Sequence, residues 1–299
     1  MNIKPWIQAA RLRTLPLSVS GIVVGSAYAY HQGFTDWRIV VLALLTTLGL
    51  QVLSNYANDY GDGVKGTDAN RIGEKRLVAA GIITALQMRK AVIITAILTF
   101  IVALLLIYVA FGKENFALSL IFILLGIGSI GAAIKYTVGK GAYGYSGFGD
   151  VFVFIFFGLV SVIGSNFLFT HFIDWKLFLP ATSIGLLSVA VLNLNNMRDI
   201  ENDTIAGKNT LIVKFGLKFG LWYQRLLIFV PILLYVIFLF DFKNSIPGFS
   251  ILFYFLAYSH NKTISKINDP KDFDPHLKKV ALSTFLFAIL LSLKLITNH

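Results

Sequence analysis

Cysteine is absent from the 299-residue chain, and charged side chains are scarce, since Asp, Glu, Lys and Arg together make up only 14% of it. The lack of cysteine excludes disulfide bonds and thiolate chemistry. Hydrophobic residues reach 56%, and the mean hydropathy is +0.74. Apolar residues are too abundant and too contiguous for the core of a soluble protein, so the composition places the chain among membrane proteins.

Nine apolar stretches are candidates for spanning helices, and all but the eighth run for about 17 residues or more. They begin near Leu15, Trp37, Ala91, Phe116, Val151, Leu177, Trp222, Ile246 and Val280. Segments of that length satisfy their backbone polar groups in lipid only as helices, and the sequence lacks the short alternating segments of a membrane barrel. We predict an all-α, polytopic membrane protein with about nine transmembrane helices in one bundle, forming a single domain over residues 1–299.

The basic residues predict the orientation of these spans. If successive loops alternate between the two faces, 21 of the 26 Lys and Arg lie on the face of the N-terminus and 5 on the other. Because cytoplasmic loops carry the excess of Lys and Arg, we expect a cytoplasmic N-terminus and a location in the cytoplasmic (inner) membrane. The net charge of +11 then reflects topology and attraction to the lipid bilayer. We expect neither a nucleic-acid partner nor an obligatory protein partner.

Carboxylates are concentrated where the second and sixth spans run into cytoplasmic loops. Only fifteen Asp and Glu residues occur, and the informative ones lie within residues 55–68 and 195–203. Helical spacing puts each set on one face of a helix. The first set contains Asn55, Asp59 and Asp62, and the second contains Asp199 and Asp203.

Closely spaced carboxylates repel one another unless a cation lies between them. Oxygen ligands presented singly suit Mg²⁺ that is shared with a substrate phosphate, so the clusters predict a magnesium site facing the cytoplasm. The candidate metal ligands are Asp59, Asp62, Asp68, Asp199 and Asp203. The alternative is that these polar residues simply mark helix ends that leave the bilayer.

The two clusters also share a pattern, because Asn55-x-x-x-Asp59 and Asn195-x-x-x-Asp199 match at an offset of 140 residues. Each follows an apolar helix that enters the cytoplasm. This repetition indicates two pseudo-equivalent halves, about 1–135 and 150–299, whose half-sites face each other across one cavity.

Basic and amide side chains surround the carboxylates and match the oxygens of a diphosphate. Arg71, Arg76 and Arg198 are the preferred ligands, because they lie close to the carboxylates in sequence. The other candidates for substrate binding are Lys65, Lys208, Asn55, Asn58 and Asn195. For any one of the basic residues, the cytoplasmic excess of positive charge is an equally good explanation.

Two further features carry weaker signals. Five glycines between residues 139 and 149 form a loop whose backbone N–H groups could approach an anion, although a tight connector would look the same. The five histidines show no metal-ligand spacing, and we interpret them as structural. They are His31, His171, His260, His276 and His299.

At the two acidic clusters the sequence resembles the UbiA superfamily of intramembrane aromatic prenyltransferases. Within it, the likeness is strongest to the branch that acts on 1,4-dihydroxy-2-naphthoate in menaquinone synthesis. The strings that carry the resemblance lie in residues 11–16, 54–68, 71–73 and 143–150. One departure matters, because the pattern Asn-x-x-x-Asp-x-x-x-Asp fits Asn58 and Asp62 but meets Gly66 at its third position, before Asp68.

The resemblance implies that a polyprenyl group moves from a polyprenyl diphosphate to the naphthoate ring, with release of diphosphate and CO₂ and formation of demethylmenaquinone. It implies a catalytic role for Asp59, Asp62, Asp199 and Asp203 and a requirement for Mg²⁺. Physically, Mg²⁺ on these carboxylates would neutralise the leaving diphosphate. Two alternatives stay open, namely another aromatic acid acceptor of the 4-hydroxybenzoate type and an ion-coupled membrane transporter.

Overall fold

A computed structural model describes residues 3–66, 76–139, 141–240 and 248–297, with side chains omitted for residues 248–250. Within these ranges the regular structure is helical and no β-strand occurs. The helices are α1 Lys4–Ala10, α2 Leu15–His31, α3 Trp37–Lys65, α4 Ala85–Phe111, α5 Phe116–Lys135, α6 Gly149–Thr170, α7 Phe178–Arg198, α8 Ile200–Ile205, α9 Leu211–Leu239, α10 Gly248–Ile264 and α11 Asp274–Thr297.

Seven helical segments in the described ranges are long and apolar enough to cross a membrane, which makes this a multi-pass membrane protein. They comprise α3, α4, α5, α6, α7, α9 and α11, where α7 and α11 each include a short preceding 3₁₀ turn. The helices α2 and α10 have 17 residues each, just below the length of the other seven. Many large apolar side chains are exposed, such as Leu124 and Ile127 on α5, as expected of surfaces that face lipid.

Three predicted span starts differ from the structure. The helices expected to begin near Ala91, Trp222 and Val280 begin at Ala85, Leu211 and Asp274. Hydropathy detects only the part of a helix that lies in hydrocarbon, whereas the backbone stays helical in the polar region beyond it. In α9 the early start includes a break, because Gly216 has φ 82° and ψ 172°.

The chain divides into two compact units. The first unit comprises Met1–Ser18, Asp36–Gly149 and Glu201–Thr210, and in it α3 packs against α4 and α5. The second unit comprises Val19–Thr35, Asp150–Ile200 and Leu211–His299, and in it α7 packs against α6, α9 and α11.

Close helix packing in the second unit depends on small residues. A Cβ atom on Gly158 of α6 would lie 2.7 Å from the carbonyl oxygen of Ala181 on α7, so the two backbones approach too closely for a side chain there. Aromatic rings pack against one another in another part of this unit. Tyr235 and Phe253 each contact Phe287 edge to face, at ring-centroid distances of 5.0 and 5.1 Å.

Candidate active site

Helix α3 carries the first acidic set on its last turns. It runs through the whole set and ends at Lys65, followed by Gly66 in the left-handed conformation (φ 73°). Asn55, Asp59 and Asp62 all lie in this one helix, as their spacing predicts, and all three are buried. The side chains therefore point into the first unit, where buried polar groups need partners.

Asp62 lies at the centre of a charged cluster. Its side chain accepts a hydrogen bond of 2.6 Å from the Tyr145 hydroxyl and one of 3.2 Å from Nη2 of Arg76. The Lys208 ammonium lies 3.9 Å from the same carboxylate. Only 1% of Asp62 is exposed, and these two cations and one hydroxyl offset the cost of burying its charge.

Tyr145 holds two lysines of this cluster through its ring. The Lys65 ammonium lies 3.9 Å from the ring centroid and the Lys208 ammonium 4.9 Å from it, which is within the range of cation–π attraction. The carbonyl of Tyr145 also accepts a 2.9 Å hydrogen bond from the backbone of Asn209. Tyr145 thus links the glycine-rich loop, α3 and the 201–210 segment within the first unit.

Lys208 also connects Asp62 to Asp203 of the second sequence cluster. Its ammonium lies 3.3 Å from Asp203, and its backbone N–H donates to the carbonyl of Asp203 at 2.9 Å. Asp203 is 4% exposed. The first unit therefore brings together Asp62, Asp203 and the cations between them, although 140 or so residues separate the two clusters in sequence.

Asp59 anchors the stretch of backbone that begins at residue 76, where the described part of the chain resumes. Its two oxygens accept hydrogen bonds of 3.0 Å from the N–H of Leu77 and 2.9 Å from the N–H of Val78. Asp59 is 1% exposed, so these bonds are shielded from water. Each oxygen keeps a second lone pair, and the metal role expected of Asp59 stays a prediction.

Thr137 ties the start of the glycine-rich loop to α3. Its hydroxyl donates to the side chain of Asn58 at 3.0 Å, and its carbonyl accepts a 2.7 Å bond from Lys65. A Cβ atom on Gly61 would lie only 2.9 Å from that carbonyl oxygen. Glycine at this position therefore permits the close approach that orients Asn58 and Lys65.

Asn55 and Tyr143 have structural partners in the same unit. The Asn55 amide donates to the carbonyl of Ala10 at 2.9 Å and to the Thr14 hydroxyl at 3.2 Å, which attaches the N-terminal segment to α3. The Tyr143 hydroxyl donates to the carbonyl of Ala132 at 2.8 Å. Burial raises the pKa of Tyr143 to about 12, so this hydroxyl stays protonated and keeps its bond at physiological pH.

The second acidic set is not carried by one continuous helix, and the prediction that Asp199 and Asp203 project from one helical face is wrong. Helix α7 ends at Arg198, and Asp199 has φ −94° and ψ 9°, outside the helical region. A new short helix, α8, begins at Ile200. Sequence spacing cannot detect this break, because no Pro or Gly marks it.

Arg198 organises the second set within the second unit. Its guanidinium donates to Asp199 through Nε at 2.7 Å and through Nη2 at 2.8 Å, a bidentate pair. It also donates to Asn195 at 2.8 Å and to Asp274. The bidentate pair therefore positions Asp199. Arg198 itself is 1% exposed. Its expected contact with a diphosphate stays a prediction.

Two predicted ligands, Asp68 and Arg71, lie outside the described residues. Among the residues that are described, no three Asp, Glu or His side chains converge closely enough to hold a metal ion by themselves. A cation at Asp62 or Asp203 would therefore need further oxygen ligands, as is usual when Mg²⁺ is shared with substrate phosphates.

The anchoring role of Asp59 can be tested by Asp59→Asn. One amide oxygen replaces two carboxylate oxygens, so one buried backbone N–H loses its acceptor, at a cost of about 1–3 kcal/mol. We expect a lower Tm in detergent and faster proteolysis near residues 76–84. Asp269→Asn is the matched control, because exposed Asp269 also accepts a backbone N–H, from Lys271 at 2.9 Å. Equal Tm values for the two variants would contradict the anchoring role.

Comparison with known proteins identifies the family of this chain. The sequence profile described as the UbiA prenyltransferase family matches residues 18–274. The 1,4-dihydroxy-2-naphthoate octaprenyltransferase of Haemophilus influenzae is 42% identical over 302 residues, which cover 99% of this chain and 96% of that protein. The enzyme of the same name from Escherichia coli is 49% identical over 212 residues, covering 71% of this chain and 68% of that protein.

A solved structure supports the same relationship at the level of the fold. A UbiA homologue from Archaeoglobus fulgidus bound to DMAPP and Mg²⁺ superposes with a TM-score of 0.69 at 15% identity, covering 98% of this chain and 99% of that one. Because the profile match extends over most of the sequence and the Haemophilus influenzae relative is 42% identical over nearly the whole chain, this chain belongs to the UbiA prenyltransferase family.

Proposed function

We propose that this protein transfers a polyprenyl group from a polyprenyl diphosphate to 1,4-dihydroxy-2-naphthoate, releasing diphosphate and CO₂ and giving demethylmenaquinone. The observation that carries the proposal is the 42% identity to the Haemophilus influenzae octaprenyltransferase over nearly the full length of both chains. A likeness that extends over both acidic clusters and all the spans supports a common substrate pair. The charged cluster around Asp62 supplies groups that suit the diphosphate half of this reaction.

The residues around Asp62 fit a divalent cation. The Lys208 ammonium lies beside both Asp62 and Asp203, so positive charge already occupies the space between two buried carboxylates. Hard carboxylate oxygens are the ligands that Mg²⁺ prefers. Asp62 and Asp203 would hold the metal, with Asp59 and Asp68 as the further ligands expected from the sequence in the same unit. The metal role that the sequence predicts for Asp199 is proposed separately. When bound, Mg²⁺ supplies charge neutralisation for the departing diphosphate.

Basic side chains of the same cluster are placed to bind the diphosphate. Lys65, Arg76 and Lys208 all lie within the first unit, and each contacts either Asp62 or the Tyr145 ring. Their charge would stabilise the phosphate oxygens as the C–O bond of the allylic diphosphate breaks. Tyr145 fixes the position of Asp62 through its hydroxyl and the positions of both lysines through its ring, so it is a positioning residue for this step.

The allylic group that loses diphosphate is electron-poor and must be kept from water until the naphthoate ring attacks it. The chain contains 26 Phe and 12 Tyr, whose apolar faces exclude water and whose π systems attract positive charge. A polyprenyl tail is itself a lipid, which accounts for a chain built almost wholly of apolar membrane helices. In the second unit, the bidentate pair with Arg198 orients Asp199 for its expected role.

The membrane arrangement is part of the proposal. The seven long spans together with the 17-residue helices α2 and α10 give nine crossings, with the N-terminus and the acidic clusters on the cytoplasmic side of the inner membrane. The distribution of Lys and Arg supports this orientation. We propose one catalytic domain over residues 1–299, with two pseudo-equivalent halves of about 1–135 and 150–299.

Conservative substitution of the acidic residues tests the site. Asp62→Asn and Asp199→Asn should each lower the rate of prenyl transfer by at least about 100-fold, because each removes a negative charge that would hold the metal, which in turn would neutralise the diphosphate. Initial rates would be measured with purified protein and excess Mg²⁺. Asp269→Asn is the control, because that carboxylate is exposed and should be dispensable. Wild-type rates for Asp62→Asn would eliminate the assigned role.

The acceptor is tested by competition between substrates. Purified protein given one polyprenyl diphosphate should prenylate 1,4-dihydroxy-2-naphthoate and leave 4-hydroxybenzoate unchanged, as detected by liquid chromatography and mass spectrometry. Turnover of 4-hydroxybenzoate alone would assign the protein to another acceptor within the family. Failure with both acceptors, together with ion uptake into vesicles, would favour a transporter.

The topology is tested by cysteine labelling, which is unambiguous because the chain has no cysteine. Glu114→Cys and Asn268→Cys both replace exposed residues in loops, the first between α4 and α5 and the second between α10 and α11. In intact spheroplasts, a membrane-impermeant maleimide should label only Glu114→Cys, and Asn268→Cys should react only after lysis. The reverse pattern would place the N-terminus outside.

A further inference from the structure

A cavity of about 310 Å³ lies inside the second unit, between helices α7, α9, α10 and α11. Its size is at the lower end of the range found for small-molecule sites in proteins. None of the residues that line it belongs to the acidic clusters or to the charged cluster around Asp62. The cavity is therefore separate from the charged cluster that is proposed to bind the diphosphate.

The cavity has an apolar end and a polar end. Phe253 on α10, Phe287 on α11 and Ile232 on α9 line the apolar part. The polar end lies nearer the loop that joins α10 to α11, and it is lined by His260, His276 and Lys279. Since α10 ends at Ile264 and α11 begins at Asp274, the polar groups lie toward one end of both helices. An occupant would need an apolar body and a polar head.

The polar end contains a buried nitrogen that lacks a partner. His276 is 7% exposed, and its Nδ1 has no hydrogen-bond partner in the part of the chain that the structure describes. The neighbouring His260 ring lies 5.5 Å away between centroids, and its Nε2 is 3.4 Å from the Gln224 amide. Buried polar atoms are nearly always satisfied, so the His276 nitrogen points to a missing hydrogen-bonding group in this cavity.

The charge of the lining selects the kind of head group. Lys279 is exposed and carries a positive charge at this end, and no Asp or Glu is among the lining residues within the described ranges. An ammonium and two imidazoles offer several N–H donors. This set suits an acceptor-rich anion, and a carboxylate with two oxygens can bridge a lysine and a histidine.

We propose that this cavity binds an amphiphilic carboxylate, in which one carboxylate is attached to a single hydrocarbon chain or to a fused aromatic ring. The carboxylate accepts hydrogen bonds from His276 and Lys279, and the apolar body lies against Phe253 and Phe287. The volume suits one ring system or one short chain and is too small for the two acyl chains of a phospholipid. This proposal does not rest on the proposed function, since it concerns different residues.

Photolabelling of the full-length protein in detergent tests the site. The probe is a dodecanoate that carries a diazirine, and labelled peptides are mapped by mass spectrometry. We expect label within residues 251–264 and 274–297. Lys279→Gln should raise the probe concentration for half-maximal labelling by about tenfold, the loss expected for one charge-assisted hydrogen bond. Lys278→Gln is the matched control, because Lys278 is the exposed neighbour that does not line the cavity, and it should label as wild type does.

Competition with unlabelled compounds identifies the source of the ligand. Displacement at lower concentration by dodecanoate supports a fatty acid from the bilayer, and displacement at lower concentration by 1-hydroxy-2-naphthoate supports an aromatic acid. Ser283→Trp, which places an indole in the cavity, should abolish the label in either case. The proposal is overturned if neither compound competes, if Lys279→Gln labels as the wild type does, or if a diazirine dodecanol labels these helices equally well.

Discussion

The buried carboxylate of Asp62 is the constraint on which the first unit depends. A charge with 1% exposure is stable only if nearby groups compensate it, and Tyr145, Arg76 and Lys208 do so from three separate parts of the chain. These contacts connect α3 to the segment after residue 75, to the glycine-rich loop and to residues 201–210. Because Lys208 also contacts Asp203, the same charge balance joins Asp62 of the first cluster to Asp203 of the second, which the sequence keeps far apart.

This balance explains how such a site could be stable before substrates arrive and still act on them. Under the proposed function, the cations that now neutralise Asp62 and Asp203 are the groups that bind diphosphate oxygens, while the carboxylates bind Mg²⁺. Opposite charges would therefore exchange partners, and no charged group would be buried alone at any stage. Tyr145 supports both arrangements, since its ring attracts the ammonium groups of Lys65 and Lys208 whatever their partners are.

The sequence predicted the features that depend on local patterns. The seven long apolar helices follow from hydropathy, and the helix carrying Asn55, Asp59 and Asp62 follows from their spacing. The basic neighbours of the first cluster include Arg76. The break at Asp199 was missed because no Pro or Gly marks it in the sequence. The contacts of Tyr145 and the anchoring contacts of Asp59 were missed because they join segments distant in sequence. Tyr145 gave a signal only as part of the glycine-rich loop and of the family resemblance in residues 143–150.

The central claim is that Asp62 belongs to a site that takes a divalent cation together with a diphosphate. Electron paramagnetic resonance of Mn²⁺, titrated into purified protein with and without a non-hydrolysable prenyl thiolodiphosphate, tests it most directly. We predict that Mn²⁺ binds tightly only when the diphosphate analogue is present, and that Asp62→Asn weakens this binding by about tenfold or more. Equal Mn²⁺ affinity for Asp62→Asn and the wild-type protein in the presence of the analogue would contradict the account.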